Sequence, residues 1–459
     1  MSEQAALPGM PEASVEAGAR AAEVPTSRGA QRIARAVREQ VELVPRSLEE
    51  AVAADHPARA IWALLERLEL GAFYAGIRAA VDGPGRPASD PRVLLGLWML
   101  ATVEGVGSAR RLARLTEEHD AYRWLRGGVP VNYHLLADFR VAHRAELDEL
   151  LTQTIALLLS EELVTLARVA QDGVRVRAGA GAGSFRRRAA LERCLGEARE
   201  RVERLAAERE APDADGAVTR RAREAARERA ARERVERVER VERALDALPA
   251  LEAIKEKQRR NLPKARRGRV GEARASTTDP DARVMKMGDG GFRPALNVQV
   301  ATDGDGRAIV GVEVSQQGSD GGLAAPLEAQ VAARAGRHPG AYLLDGGLAT
   351  RGDIATLAGR DVTVYAPVEP PRTTTSGRTA YDPRPDDPPA VAAWRARMGT
   401  PDGRATYRQR GAIAEWTNAL LRTRHGLQRF TVRGLDRVTS VVLLLAVTHN
   451  LLRYLALTA

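Results

Sequence analysis

Three acidic residues stand where a divalent metal ion could be held. Asp172 lies in residues 166–177, which alternate apolar and polar as a strand would, interrupted by Asp172-Gly173, and Asp345 ends the apolar run 341–345. Glu415 lies on a late helical stretch. Carboxylates are the natural ligands of hard ions such as Mg²⁺. Two such ions, roughly 3.5–4 Å apart, support phosphoryl transfer by activating the attacking oxygen and stabilising the leaving one. Taken singly, each acid also has an ordinary explanation. Asp-Gly is a common turn pair, and Gly173 and Gly346 follow the two aspartates. Exposed helical glutamates are commonplace, and Asp279, Asp303 and Asp320 compete by position alone. The combination of two strand aspartates and one late helical glutamate carries the weight.

The elements that must position these acids follow from the pattern. From about residue 31 to 160 the periodicity is helical. Ser89-Asp90-Pro91 starts one helix with an N-cap and a first-turn proline, Ser108 caps a second, Asn132 caps a third, and a fourth runs over 144–160. Residues 186–260 form a charged helical stretch in which Val-Glu-Arg recurs at 235–237, 238–240 and 241–243. Strand patterns resume at 295–301 and 308–315, followed by a helix at about 322–335 and the strand ending in Asp345. A short helix at 351–358, a strand at 362–368, a loop at 369–404 rich in Pro, Asp and Gly, and two closing helices complete the chain. Strand, insertion, strand, strand, helix, strand, helix, strand, helix is the order of an RNase H-like nuclease domain. In such a sheet the first and fourth strands are neighbours, which would bring Asp172 and Asp345 together from 173 positions apart. The expected fold is therefore α/β: an RNase H-like mixed-sheet domain with a charged helical insertion, preceded by an all-α domain. The expected divisions are a disordered tail (1–28), a helical DNA-binding domain (29–160), the first part of the sheet domain (161–185), the insertion (186–275), and the remainder (276–459).

Composition narrows the classes. The 459 residues are 44% hydrophobic and 28% charged, ordinary for a globular protein, with a net charge of +10 that favours a polyanionic partner. The alternative is the arginine and alanine bias of a GC-rich genome, since lysine occurs only at 255, 257, 264 and 286. Cys194 is the single cysteine, which excludes an intrachain disulfide and a cysteine-based zinc site. The N-terminal stretch lacks the apolar core of a signal peptide, and the longest apolar run, 441–447, falls far short of the roughly 20 residues that span a bilayer. A cytoplasmic protein with no membrane partner is expected.

Several blocks in order resemble a known family. The runs around Asp172 (169–178), Asp345 (343–347) and Glu415 (410–418) are similar to the catalytic blocks of DDE transposases from bacterial insertion sequences. Residues 111–115, 121–128 and 138–143 resemble the InsH-type N-terminal domain of the same IS5/IS1182-like group, and 277–283 with 292–299 resemble the blocks preceding the second and third strands. The resemblance runs from about residue 40 to the C-terminus. It implies a transposase that binds terminal inverted repeats, cleaves at the element end, and joins the freed 3′-hydroxyl to target DNA. Asp172, Asp345 and Glu415 would hold two Mg²⁺ ions, with Mn²⁺ able to substitute. Double-stranded DNA is the implied partner, and an active homodimer is expected because two ends must be held together. At the nucleoid such a protein would be bound to DNA.

The same resemblance gives the glutamate helix a preceding Tyr and Arg and a following basic residue, matched by Tyr407, Arg410 and Arg422. Arg422 stands seven residues after Glu415 and shares its face. Arg410 stands five before it, which on a regular helix points about 140° away. Gly411 could loosen the helix there, leaving Arg410 a candidate phosphate contact. In the N-terminal domain Arg110, Arg111, Arg114 and Arg140 are candidates for DNA contact on a helix-turn-helix-like unit, with a solvated helix face as the competing reading. The insertion reads as a helical hairpin held by ion pairs, or as a dimerisation arm. Its basic tail, 255–269, could track DNA or be a solvated linker. The alternatives for the whole chain are a related nuclease that cuts without joining and an inactive DNA-binding remnant.

Overall fold

Side-chain caps start the helices of the N-terminal half. The structure, a computed structural model, describes residues 45–79, 87–209, 217–369 and 379–459; the tail expected at 1–28 lies outside the described residues. Helices α1 (Pro57–Glu66), α2 (Gly71–Tyr74), α3 (Pro91–Val103), α4 (Ala109–Glu118), α5 (Asp120–Arg126), α6 (Tyr133–Ala142) and α7 (Arg144–Ser160) precede the sheet. Asp90, Ser108 and Asn132 each accept a first-turn N–H of the helix they begin, satisfying donors that have no intrahelical partner. Helix α3 is buried on nearly every side, and its Trp98 indole donates to the Leu136 carbonyl at 2.9 Å. That bond ties α3 to α6.

The sheet is mixed. Its first strand, β1 (Arg168–Arg177), is followed by the insertion: β2 (Phe185–Arg186), α8 (Arg188–Arg209), α9 (Ala217–Asp246), α10 (Leu248–Asn261) and β3 (Ala275–Ser276), which pairs with β2. Then come β4 (Arg283–Lys286), β5 (Phe292–Asp303), β6 (Ile309–Ser315), α11 (Ala324–Ala335), β7 (Ala341–Leu344), α12 (Arg351–Ala358) and β8 (Thr363–Tyr365). The strand order is β4-β5-β1-β7-β8, with β6 also paired to β5. β5 is antiparallel to β1, β4 and β6, whereas β1, β7 and β8 run parallel. The mixed α/β architecture expected from the sequence is thus present.

Two local expectations need correction. Asp172-Gly173 does not interrupt its strand: β1 pairs with β5 continuously from Val169 to Arg177. The loop expected over 369–404 also contains helices, α13 (Pro389–Gly399) and α14 (Pro401–Arg410), while 370–378 lies outside the described residues. The prolines start these helices: Pro389 and Pro401 occupy first-turn positions, where a missing N–H costs nothing, and Thr400 caps α14. After α14 a π-helical turn (Gly411–Glu415) leads into α15 (Trp416–Thr423), and α16 (Leu435–Thr458) closes the chain.

By length and composition α16 could cross a membrane, but its apolar window is 61% buried within the protein. Leu443, Leu444, Leu445, Val447 and Leu451 sit in the same core as Leu151 of α7 and Ile309 of β6, each buried side chain contributing about 1.5–3 kcal/mol. Asn450 of α16 accepts from the Ile309 N–H at 2.7 Å and donates to the Ile309 carbonyl at 2.9 Å, so a side chain satisfies the outer edge of β6 at its first residue. One core cluster runs from Ile61 and Trp98 through Leu151 to Val300, Tyr342 and Leu445.

Candidate active site

The register of β1 against β7 brings two of the three acids together. Gln171 lies opposite Leu344 in this parallel pair, so Asp172 and Asp345 are the next residues along each chain. Asp172 has a side chain only 22% exposed, whereas Asp345 is 57% exposed in the turn beyond β7. The Asp345 carboxylate accepts the Gly347 N–H at 3.1 Å, and its carbonyl accepts the Leu348 N–H, so Asp345-Gly346 does form a turn. The guanidinium of Arg410 reaches both acids: Nη2 lies 2.9 Å from Asp172 Oδ1 and 4.0 Å from Asp345 Oδ2. Asn418 Nδ2 donates to Asp172 Oδ2 at 2.9 Å, and the Gly173 N–H donates to Oδ1 at 3.0 Å. Burial pushes the Asp172 pKa up, and the charge of Asp345 adds to this. Arg410, the Gly173 N–H and Asn418 pull it back down.

The helix widens just after Arg410. On a regular helix it would point about 140° from Glu415. The π-helical turn over Gly411–Glu415 closes i→i+5 bonds instead, which stacks residues five apart on one face. The turn is held against the sheet by Ile413 and Ala414, which bury onto Ala170 of β1 and Leu343 of β7. The Glu415 side chain lies over Gly411, its Oε1 3.6 Å from where a Cβ would stand, an ordinary contact distance. Arg410 and Glu415 therefore share a face, contrary to the geometry of an unbroken α-helix.

Glu415 is exposed on this turn, and among the described residues no three Asp, Glu, His or Cys side chains converge at metal-binding distance. Its charge acts nonetheless on Tyr407, as do those of Arg410, Asp345 and Asp172; burial is the largest influence and raises the Tyr407 pKa. Arg422 is exposed on α15. The donors suit Mg²⁺ or Mn²⁺, being carboxylate oxygens on neighbouring strands. Two buried polar atoms beside them have no hydrogen-bond partner, Asn418 Oδ1 and Arg410 Nε, so an open acceptor stands next to Asp172. In the present arrangement Arg410 supplies the positive charge between the two aspartates.

The competing acids are otherwise engaged. Asp303 accepts the N–H groups of Leu166, Asp305 and Gly306, and Asp279 accepts those of Asp281 and Gly434. Asp320 binds Arg175 at 3.1 Å, Asn297 at 2.7 Å and Gln299 at 2.8 Å on the opposite face of the sheet from Asp172. Gln299 in turn accepts from Gln171, which accepts from Tyr342. Gly173 lies against this network: a Cβ there would stand 2.6 Å from Asp320 Oδ1 and closer still to Gln299 Nε2. Neither the network nor Asn418 is visible from periodicity, although Asn418 stands three residues after Glu415, one turn along the helix.

The N-terminal candidates divide. Arg110, Arg111 and Arg114 are exposed on α4, with Arg110 stacked over the Tyr133 ring at 4.4 Å. Arg140 turns inward and is 6% exposed, lying 4.2 Å over Trp98 and donating to the Gly107 carbonyl at 2.8 Å and Thr431 Oγ1 at 3.2 Å. Burial lowers its pKa to about 10, which leaves it charged at neutral pH. In this conformation it joins α6 to the segment before α16 and offers no guanidinium to a ligand.

Comparison with known proteins gives two family matches. A transposase DDE domain matches residues 378–455, which carry Tyr407, Arg410, Glu415, Asn418 and Arg422. A second transposase domain, DUF772, matches residues 46–142, which span α1 to α6. The two fall in the order expected of an IS5/IS1182-like transposase. Asp172 and Asp345 lie outside both matched segments. No curated protein and no solved structure matches the chain.

Proposed function

We propose that this chain, a transposase by the two domain families it matches, binds the terminal inverted repeats of its element, cleaves there and joins the freed end to target DNA. The observation that carries this reading is the meeting of Asp172, Asp345 and Arg410. The aspartates come from β1 and from the turn that follows its parallel neighbour β7, and the arginine comes from the segment that matches the DDE domain. The strand order, with β1 central, β5 antiparallel and β7 parallel to it, supports an RNase H-like domain.

Asp172, Asp345 and Glu415 would hold two Mg²⁺ ions. When bound, such ions supply activation of the attacking oxygen and stabilisation of the leaving one. The chain's own residues do the rest. Arg410 and Asn418 favour the charged form of Asp172 against the burial that raises its pKa, and fix its orientation. The π-helical turn presents Glu415 on the same face as Arg410. Tyr407, Arg410 and Arg422 would contact phosphates, and Arg110, Arg111 and Arg114 offer exposed cations on the helical part. In the first step water attacks the phosphorus at the element end, leaving a 3′-hydroxyl and a 5′-phosphate. In the second that hydroxyl attacks a target phosphodiester, forming a new ester bond and releasing the target's 3′-hydroxyl. Two ends acting together require a homodimer on DNA, in the cytoplasm at the nucleoid.

The test is an assay with labelled element ends, target duplex and Mg²⁺. The expected result is a covalently joined end–target product, favoured for the inverted repeat over a scrambled end. Cleavage without any joined product identifies a nuclease, and binding without cleavage under either metal identifies an inactive remnant.

A further inference from the structure

The insertion carries two kinds of charge. Along the hairpin of α8 and α9 several of the arginines are matched by acids: Arg188 with Glu252 at 3.1 Å, Arg199 with Glu242 at 2.7 Å, Arg240 with Glu236 at 3.4 Å and Arg243 with Asp281 at 2.6 Å. The following arm, residues 255–269, is different. It holds eight cations against one acid, Glu256, and three of the four lysines in the chain. Glu256 is shared by Arg259 at 3.5 Å and Arg260 at 3.6 Å. Among the described residues, Lys255, Lys257, Lys264, Arg266 and Arg269 have no carboxylate within ion-pair distance, and all but the partly buried Lys255 are exposed.

These cations stand on a built scaffold. Leu248 and Leu251 of α10 and Ala273 and Ala275 beyond the arm pack into one small core with Leu191 and Val241, so both ends of the arm are fixed at the same place. Between them α10 continues to Asn261, and a 3₁₀ turn spans Lys264–Arg269, closed by Arg266 N–H to Pro263 O and Val270 N–H to Arg267 O. Unbalanced like charges held this close repel one another, and that cost is offset when a polyanion replaces small counterions.

Topology sets where the arm leaves the sheet. β1 passes Asp172 and continues five residues to Arg177, a rise of about 16 Å. The insertion departs from that end of β1, and Asp172 and Asp345 mark the same end of the parallel pair with β7.

We propose that residues 255–269 bind the sugar–phosphate backbone of duplex DNA, holding the flank that leads to the aspartates regardless of sequence. This rests on the reading that DNA is the substrate. Four of the unpaired cations are replaced together in the full-length chain (Lys257→Gln, Lys264→Gln, Arg266→Gln, Arg269→Gln), and affinity for an element end and for an unrelated duplex is measured across a salt series. Binding to the backbone predicts that both affinities fall together, by tenfold or more at low salt. The slope of log affinity against log salt should also shrink, by roughly 0.9 for each phosphate no longer neutralised. Restoring the charges with Lys257→Arg and Lys264→Arg, leaving Arg266 and Arg269 in place, should recover wild-type binding. Arg199→Gln with Arg240→Gln in the paired hairpin should leave the slope unchanged.

A folded quadruple variant with wild-type affinity and slope overturns the proposal. So does a loss confined to one DNA sequence, which would make the arm a base reader. A loss equalled by the hairpin variant would also overturn it, since bulk charge would then suffice. If wild type binds no duplex at all, the DNA-substrate reading fails with it, whereas failure of the arm alone leaves wild-type binding intact.

Discussion

At the scale of single residues, Gly173 shows how tightly the acid Asp172 is framed. Its neighbours in β1 alternate between a face carrying the aspartate and a face carrying Gln171 and Arg175, and the second face is filled by Gln299, Asn297 and Asp320. A methyl group at 173 would overlap Asp320 Oδ1 and Gln299 Nε2. Gly173→Ala is therefore expected to cost about 1–3 kcal/mol of stability, read from the midpoint of urea unfolding. An unchanged midpoint would mean that the network yields without cost. The residue types of the site are legible in the sequence, because strand aspartates beside glycine and a late helical glutamate can be picked out one by one. Asn418 is not, since its bond to Asp172 joins positions 246 apart and leaves no trace in local pattern. The sequence identifies Arg410 but not its direction, because a spacing of five converts to the wrong angle on an α-helix where the chain makes a π turn.

At the scale of elements, caps and periodicity locate the helices that begin at Pro91, Ala109 and Tyr133, and the closing helix α16. The helices starting at Pro389 and Pro401 are hidden in a stretch that reads as loop, because proline breaks a helix interior yet begins a helix from its first turn. Helix α16 carries a testable electrostatic cost. His449 is buried, with Nε2 2.9 Å from the Arg307 carbonyl, and burial drives its pKa from 6.5 to about 4. Between those values the unfolded chain binds a proton that the folded chain does not. Stability should therefore fall as pH drops from about 6.5 towards 4, with up to about 3 kcal/mol lost through this residue. Urea midpoints at pH 7 and pH 4.5 for wild type and His449→Gln check this: the variant should show the smaller acid loss. Parallel curves would assign the acid sensitivity elsewhere.

At the scale of the whole molecule, residues Ser47–Ala459 form one compact unit in which the N-terminal helices and the sheet share a core. The change of texture between helical and strand-rich parts is visible in the sequence, but this shared core is not, because which helix faces pack together is decided by residues far apart in the chain. Trp98 of α3, Leu151 of α7 and Leu445 of α16 meet in one cluster although they belong to three separate periodic stretches. The same packing fixes β1 beside β7 and the π turn across them, and the proposed joint action of Asp172, Asp345 and Glu415 depends on that juxtaposition. The most direct measurement is Mg²⁺-dependent cleavage of an element end by wild type and by Asp172→Ala, Asp345→Ala and Glu415→Ala, with DNA binding measured in parallel. Each substitution should abolish cleavage, a loss on the order of a thousandfold or more, while binding persists. Wild-type cleavage by any one of the three variants would contradict the claim for that residue, and for Glu415 would leave the aspartate pair without its third carboxylate.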